Sequence, residues 1–329
     1  MKALVLGATG YVGSAIARDL FAHGYATYGL ARSENARAKL EAAGIIALEG
    51  DLARIDLFAA QLTEYDVVVF AAMVPFEAEA AMLGALVEAL RGASHILLFL
   101  SGSGVVSLAA QDGSWNENSF AEEDAFPFPE LPTRQIRLQT ESAVLEATND
   151  RLRTFVVRPP LIWGHGGSIQ VPQFFESGRR TGSVCYLGEG LNLYSNVHVD
   201  DVAAVCRLAI EHGKPGSIYH AVAGEVNFRS ICEAVAHVLK LPTRSLNYQE
   251  ACDLWGSAWV DMGLAVNSRI RAPRTRNDLG WEPVNVDLVE DIRSGSYYEA
   301  YHGGLGEAEA YSWKGHGWSG HAKALTVEP

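Results

Sequence analysis

Short apolar runs alternate with longer amphipathic segments through the first third of the chain. The apolar runs predict buried strands at residues 3–6, 26–31, 45–48, 67–71 and 96–100. The amphipathic segments predict helices at residues 12–22, 34–43, 57–62 and 78–90. Strands and helices that alternate in this way favour right-handed crossovers, and hence a parallel sheet with helices on both faces.

The alternation continues beyond this region and then loosens. Further helices are predicted at residues 136–148, 199–210 and 228–239, and further strands at residues 154–157 and 217–221. Residues 161–195 are rich in glycine and aromatic side chains, which predicts loops around one short helix. We therefore predict an α/β fold, a Rossmann-type doubly wound parallel sheet with a smaller C-terminal substrate lobe.

The predicted domains follow from this division. The nucleotide-binding domain takes residues 1–160 plus about 196–223, and the substrate lobe takes about 161–195 and 224–302. The Gly/Ala-rich tail, residues 303–329, is expected to be an arm that contacts the neighbouring subunit of a homodimer.

The net charge of the chain limits which partners it can bind, and its cysteine content indicates its cellular compartment. The chain has 39 acidic and 26 basic residues and a net charge of −13, so neither nucleic acid nor an anionic membrane surface is expected as a partner. Its apolar runs are too short to span a bilayer. The four cysteines have neither zinc-site nor disulfide-framework spacing, which indicates reduced thiols and a cytoplasmic protein. No metal site is expected, since His316 and His321 lack further ligands at suitable spacing.

A glycine-rich segment, Gly7-Ala-Thr-Gly10-Tyr-Val-Gly13, lies between the first predicted strand and the first predicted helix. Gly7 permits the tight turn, Gly10 lets backbone amides approach a pyrophosphate, and Gly13 lets the helix pack against the strand. The helix N-terminus adds unpaired N–H groups and a partial positive charge. This context predicts a dinucleotide site, with Thr9, Tyr11 and Val12 also in contact with the cofactor.

The end of the second strand indicates which dinucleotide is bound. An NAD site usually has an acidic residue here that holds the ribose 2′-hydroxyl. Residues 24–33 contain no acid, and Arg32 and Ser33 occupy the position instead. Because a guanidinium can pair with a 2′-phosphate, NADP(H) is predicted to be preferred over NAD(H).

Several further motifs make the chain resemble the extended branch of the short-chain dehydrogenase/reductase superfamily, whose members are epimerase- and dehydratase-like. These motifs are Gly50-Asp51-Leu52, Ala71-Ala72-Met73, the segment 158–164, Val197-His-Val-Asp-Asp201 and the segment 218–225. The resemblance implies that Asp51 and Leu52 lie at the adenine, that residues 71–73 flank the cofactor, and that Pro159 lies beside the nicotinamide.

The catalytic pair of that superfamily is absent. Its members have Ser or Thr after the fifth strand and Tyr-x-x-x-Lys on the next helix. This chain has no tyrosine between Tyr65 and Tyr186 and no lysine between Lys39 and Lys214, so no shift of alignment restores the pair. The alignment puts Thr133 at the tyrosine position and Arg137 at the lysine position. The serine position falls on Gly102, between Ser101 and Ser103.

The substitutes suggest a different chemistry. Arg137 stays protonated and can bind the cofactor ribose or stabilise an oxyanion, although it could equally be a solvated helix charge. A proton could come through Thr133 or from His165, and Ser101 or Ser103 could bind substrate or only shape a turn. Asp200 or Asp201 is predicted to cap the following helix.

The resemblance also implies a substrate pocket lined by apolar and aromatic residues, although ordinary core packing would explain the same residues. The pocket residues are Val74, Trp163, Phe174, Tyr186 and Tyr194. We therefore predict an NADP(H)-dependent oxidoreductase that reduces a small, aromatic or fairly apolar carbonyl, imine or conjugated substrate. The alternatives are a redox-neutral epimerase, dehydratase or cyclase, and a non-catalytic NADP(H)-sensing regulatory protein.

Overall fold

The computed structural model describes residues 1–92, 94–128 and 132–303, apart from the side chains of residues 55–60, 132 and 133. The strands are β1 Lys2–Leu6, β2 Ala26–Ala31, β3 Ile46–Glu49, β4 Val67–Phe70, β5 His95–Leu100, β6 Leu108–Ala109, β7 Leu152–Arg158, β8 Leu161–Trp163, β9 Val184–Leu187, β10 Leu193–His198, β11 Ser217–His220, β12 Gly224–Asn227, β13 Thr243–Leu246 and β14 Val266–Asn267.

The helices are α1 Tyr11–Ala22, α2 Glu34–Ala42, α3 Phe76–Leu90, α4 Pro132–Glu146, α5 Val171–Thr181, α6 Val199–His212, α7 Phe228–Leu239, α8 Tyr248–Trp255, α9 Ser257–Trp259, α10 Pro273–Leu279, α11 Leu288–Ser294 and α12 Ser296–Tyr301. Two 3₁₀ segments, Leu52–Glu64 and Ser103–Val106, and a π-helical turn, Val260–Leu264, complete the regular structure.

A seven-stranded parallel sheet forms the centre of the molecule and confirms the predicted Rossmann-type fold. Its strand order is β11-β7-β5-β4-β1-β2-β3, so the direction of winding reverses between β1 and β4. A crevice opens at the carboxyl ends of strands at such a reversal, and cofactors of doubly wound folds bind there. The glycine-rich segment follows β1, and residues 71–73 follow β4, so both flank this crevice.

The sheet is buried on both faces, which explains why its strands are readable as apolar runs. All four residues of β4 are fully buried. Helices α1 and α6 pack on one face around Ile16 and Val202, while α3 and α4 pack on the other around Leu86 and Val144. The predicted return of the chain to the sheet is confirmed, because β11 pairs in parallel with β7.

The prediction that residues 161–195 form loops around one helix is wrong in part. The helix is present as α5, but β8, β9 and the first half of β10 also lie in this stretch. β10 pairs in parallel with β8 and antiparallel with β12, and β9 pairs with β13. These strands are short and separated by glycines, so their apolar runs do not stand out along the sequence.

The C-terminal elements enclose a second apolar core, distinct from the cores on the sheet. Phe174 and Tyr194 pack against Phe228 in this core, and Phe175 stacks on Tyr301 of α12. All four cysteines are free thiols. Among the described residues, no helix combines the length and the apolar character needed to cross a membrane. The predicted tail arm lies outside the described residues from position 304 onward.

Candidate active site

The backbone of the glycine-rich segment leaves no room for side chains at two of its positions. Gly7 has φ +98°, and a Cβ there would stand 2.8 Å from the backbone of Ala71 and of Ala72. A Cβ on Gly13 would stand 2.1 Å from the carbonyl oxygen of Gly7. The Gly10 amide donates to that same carbonyl at 2.8 Å and closes the turn. Glycine is therefore required here by steric fit as well as by backbone conformation.

The N-terminus of α1 has the features of an anion-binding site. Gly10 is its N-cap in extended conformation, no side chain caps the helix, and its first turn contains no acidic residue. An uncapped N-terminus that follows a parallel strand at a winding reversal is the usual place for the pyrophosphate of a dinucleotide. The residues present therefore fit a nicotinamide dinucleotide.

The residues predicted to select the cofactor stand around the ends of β2 and β3. Ser33 caps α2 by accepting from the Ala36 amide at 3.2 Å. Arg32 is exposed and makes no hydrogen bond or ion pair with another described residue, so its guanidinium is free to bind a ligand. Asp51 starts the following 3₁₀ segment by accepting from the Ala53 amide at 3.1 Å.

The remaining predicted cofactor contacts differ in their exposure. Leu52, Ala71 and Ala72 are partly buried, whereas 38% of Met73 is exposed beside them. Val74, predicted to line the substrate pocket, is also partly buried.

Arg137, the residue at the family's lysine position, is fixed in a partly apolar setting. Its Nη2 donates to Oε2 of Glu79 at 3.0 Å, and Glu79 is almost fully buried. The guanidinium carbon lies 5.0 Å from the centre of the Phe76 ring and 5.7 Å from that of Phe99. Burial raises the pKa of Glu79, while the charge of Arg137 opposes this shift. This geometry disfavours a solvated helix charge.

The Glu79–Arg137 pair keeps unused hydrogen-bonding capacity. Oε1 of Glu79 and Nε of Arg137 are buried and have no hydrogen-bond partner among the described residues. Nη1 of Arg137 stands 3.4 Å from where a Cβ on Gly102 would be, and the Pro159 carbonyl is 3.7 Å from that point. Arg137 therefore lies at the carboxyl ends of β5 and β7, beside the residue predicted to flank the nicotinamide.

Ser101 is hydrogen-bonded to a buried ion pair, Glu141 with Arg158. Its hydroxyl donates to Glu141 in a short hydrogen bond. Arg158 donates from Nε to both Glu141 oxygens at 3.1 Å and from Nη2 to one of them at 2.5 Å. All three residues are buried, so the Ser101 hydroxyl is already engaged within the protein.

Ser103 belongs to a different buried polar group. Its amide donates to the Pro159 carbonyl at 3.0 Å, and its hydroxyl lies 2.7 Å from that of Ser268. Burial raises the pKa of Tyr194, while hydrogen bonds from Ser268 and Ser103 and the charge of Arg134 oppose the shift. The phenol therefore stays protonated near neutral pH and has a proton to donate. This group thus brings a tyrosine, Tyr194, and a cation, Arg134, together with Ser103 and Ser268 at the same end of the sheet.

Two members of this group, Arg134 and Ser268, were not predicted from the sequence. Arg134 could have been suspected, because it stands three residues before Arg137 and so lies near it on α4. Ser268 gives no signal in the sequence. The Thr133 side chain lies outside the described side chains, so its predicted role stays a prediction.

His165 belongs to a separate group of residues and makes no described contact with Arg137. Its Nε2 is 2.8 Å from Oδ2 of Asp200, and its ring is 5.1 Å from that of His198. The prediction that Asp200 or Asp201 caps α6 is wrong, because Nδ1 of His198 accepts from the Asp200 amide at 3.2 Å. Asp201 instead accepts from the amides of Val284 and Asn285 at 2.9 Å and so fixes the loop that precedes α11.

The predicted aromatic pocket residues belong to the C-terminal core. Trp163, Phe174, Tyr186 and Tyr194 are each at most 9% exposed. Trp163 donates to Asn196 at 3.0 Å and packs edge-on against His198. Their packing accounts for their burial, and a part in substrate binding stays a prediction.

Comparison with known proteins places this geometry in a family. The sequence profile of the NAD dependent epimerase/dehydratase family matches residues 3–222. The chain belongs to that family. The match covers the whole central sheet, and it confirms the resemblance that the motifs predicted.

Individual relatives of this epimerase/dehydratase chain include one with a named reaction. An uncharacterized protein of Schizosaccharomyces pombe is 31% identical over 308 residues, which cover 91% of this chain and 100% of the relative. A 4-hydroxy-2-methyl-3-oxo-4-farnesyl-3,4-dihydroquinoline-1-oxide ketoreductase of Stigmatella aurantiaca is 27% identical, covering 84% of this chain and 85% of its own.

A solved structure shows the same fold at much lower identity. The dTDP-glucose 4,6-dehydratase of Bacillus anthracis, in complex with NAD, has a TM-score of 0.73 and 16% identity, covering 92% of this chain and 98% of its own. The chain thus belongs to a family described as NAD dependent, one of its relatives is a ketoreductase, and its fold is that of a dehydratase solved with NAD.

Proposed function

We propose that this protein is an NADP(H)-dependent reductase that acts on a small, apolar or aromatic carbonyl, imine or conjugated substrate. The observation that carries the proposal is the fixed position of Arg137, held by Glu79 between two rings at the predicted nicotinamide end of the crevice. A cation so placed suits a reaction in which negative charge develops on a substrate atom. The quinoline-oxide ketoreductase among the relatives supports the same class of reaction.

Different residues bind the cofactor and stabilise the reacting substrate. Gly7, Gly10 and Gly13 hold the dinucleotide, and Arg32 and Ser33 bind its 2′-phosphate. When bound, the nicotinamide supplies a hydride to the electrophilic atom of the substrate. The guanidinium of Arg137 stabilises the charge that develops there.

The proton is assigned to Tyr194 acting through Ser103. Burial keeps the phenol protonated, and the alkoxide that hydride addition to a ketone would leave is a much stronger base than a phenolate. The charge of Arg134 offsets the phenolate that remains. Thr133 and His165 stay predictions as alternative proton sources.

A cofactor titration followed by a turnover assay tests the proposal. We expect NADPH to bind and its near-ultraviolet absorbance to fall with at least one class among ketones, imines, quinones and enones. Gly13→Ala is expected to abolish binding, because its Cβ would collide with the Gly7 carbonyl. Gly84→Ala is the matched control, since a Cβ at that position meets nothing within 4 Å.

The results separate the proposal from its two alternatives. Tight NADPH binding without oxidation by any acceptor would overturn the reductase and favour a cofactor-sensing protein. Conversion of a substrate without net change in NADPH would favour an epimerase, dehydratase or cyclase. The homodimer and the cytoplasmic location stay predictions.

Cofactor preference depends on Arg32. Arg32→Asp is expected to weaken NADPH binding by roughly 10- to 100-fold, because a charge-assisted pair is lost and a like charge takes its place. NADH binding should be unchanged or stronger, since an aspartate can hold the 2′-hydroxyl. The measurement is a pair of binding titrations.

Arg91→Asp makes the same charge change at the C-terminal end of α3, just before the amino end of β5 and so away from the carboxyl ends of the strands where Arg32 lies. It should leave the preference as in the wild type. An unaltered preference in Arg32→Asp would refute the 2′-phosphate contact.

A further inference from the structure

His165, His198 and Asp200 bring three donor atoms together at one end of the fold. His165 follows β8, His198 ends β10, and Asp200 lies in the first turn of α6. One ligand atom from each lies within 4.8 Å of the others. Nε2 of His165 is 2.8 Å and Nδ1 of His198 is 3.7 Å from Oδ2 of Asp200.

These separations are close to those around a tetrahedral zinc ion. Zinc binds imidazole nitrogen and carboxylate oxygen at about 2.0–2.2 Å, so two ligand atoms at a tetrahedral angle stand roughly 3.3 Å apart. The two distances to Asp200 lie on either side of this value. The two imidazole nitrogens lie within 4.8 Å of each other, so a zinc ion would have to draw the three donors slightly closer together.

The backbone around His165 is shaped to hold its ring at this place. His165 has φ +52°, a left-handed conformation that non-glycine residues rarely adopt. The preceding Gly164 has φ +114°, and a Cβ on it would stand 2.0 Å from Nε2 of His198. The absence of a side chain at Gly164 thus leaves room for His198, and the left-handed conformation of His165, of a kind that clusters at functional sites, sets its ring 5.1 Å from that of His198.

The donor set favours one class of metal ion. Two imidazoles and a carboxylate suit zinc and its transition-metal neighbours, whereas magnesium and calcium prefer oxygen ligands alone. The Asp200 amide, which donates to Nδ1 of His198, lies at a helix N-terminus, where water can accept its hydrogen bond instead.

The fourth side of the triad is open. His165 and Asp200 line a cavity of about 810 Å³ whose other walls include Thr9, Gly10 and Ser14. Three protein ligands with an open fourth position describe the zinc sites that bind water or a substrate oxygen. The open position here faces the same loop that is proposed to hold the pyrophosphate.

We propose that His165, His198 and Asp200 form a zinc site with one open coordination position toward this cavity, where water or an anionic oxygen ligand binds. None of its three donors contacts Arg137, Ser103 or Tyr194 among the described contacts, so zinc binding can be measured separately from reductase turnover even though the open position faces the proposed pyrophosphate loop.

Zinc and cobalt titrations of the full chain test the site. We expect one zinc per chain in competition with a chromogenic chelator, and a visible absorption band typical of low-symmetry four-coordinate Co²⁺. His165→Asn removes the imidazole yet tolerates the left-handed backbone, and Asp200→Asn removes the carboxylate charge. Each is expected to weaken zinc binding by more than about tenfold.

Two controls identify the ligands. His212→Ala removes an exposed histidine elsewhere on α6, and the double variant His316→Ala/His321→Ala removes the tail pair. Both should bind zinc as the wild type does. No zinc bound by the wild type, or binding that survives His165→Asn and Asp200→Asn, would overturn the site. Binding lost only in the tail variant would assign the metal to the tail. Because the readout is metal binding, failure of the reductase assay leaves this test intact.

Discussion

Arg137→Ala is expected to lower kcat by about 10²- to 10³-fold on whichever substrate the protein reduces. The guanidinium is held by Glu79 and two aromatic rings at the predicted nicotinamide end of the crevice, so its loss removes charge stabilisation that solvent cannot replace. KM should change much less, because the interaction strengthens as charge develops. Steady-state kinetics with saturating NADPH provide the measurement.

A structural effect of the same change must be separated from the catalytic one. Arg137→Ala leaves Glu79 buried without its partner, which destabilises the fold. The double variant Arg137→Ala/Glu79→Gln removes that buried charge and should regain stability without regaining activity. Arg137→Lys keeps a cation and should retain more activity than alanine does. Wild-type turnover in Arg137→Ala would refute the proposed role.

Glu141→Ala is expected to lower the free energy of unfolding by about 3–5 kcal/mol. Arg158 and Ser101 both donate to this carboxylate, and all three residues are buried. Removing it leaves a guanidinium buried without a counter-charge, which is the most costly way to break an ion pair. Chemical denaturation followed by circular dichroism measures the change.

Glu146→Ala supplies the control on the same helix. Glu146 is exposed near the end of α4, so its removal should change stability by less than about 0.5 kcal/mol. A loss below about 1 kcal/mol in Glu141→Ala would mean that Arg158 finds another partner or water.

The central sheet was predictable because its strands are buried on both faces. β4 appears in the sequence as an unbroken apolar run, and its position was predicted to within one residue. The dinucleotide loop was predictable because its glycines have a recognisable spacing between a strand and a helix, and because the fit of Gly13 against the Gly7 carbonyl is a contact between near neighbours. Signals of this kind depend on local geometry and so are carried by local sequence.

The rest of the site depends on tertiary contacts that no local pattern records. Glu79 was part of an amphipathic helix in the sequence, and only the packing of α3 against α4 reveals its pairing with Arg137. Ser268, which directly follows β14, contacts Ser103 across a separation of 165 residues. His198 replaced the expected aspartates as the cap of α6, because an imidazole nitrogen can accept from a helix amide as a carboxylate does.

The joining of α3 to α4 through Glu79 and Arg137 limits which residues could take the place of Arg137. A lysine at position 137 would present a compact ammonium to a carboxylate now matched by a planar guanidinium. A tyrosine and a lysine introduced on α4 alone would therefore leave an acid on α3 suited to a different cation. Installing such a pair in this chain requires coupled substitutions on two helices, and a variant changed on one helix only contains a poorly paired buried charge.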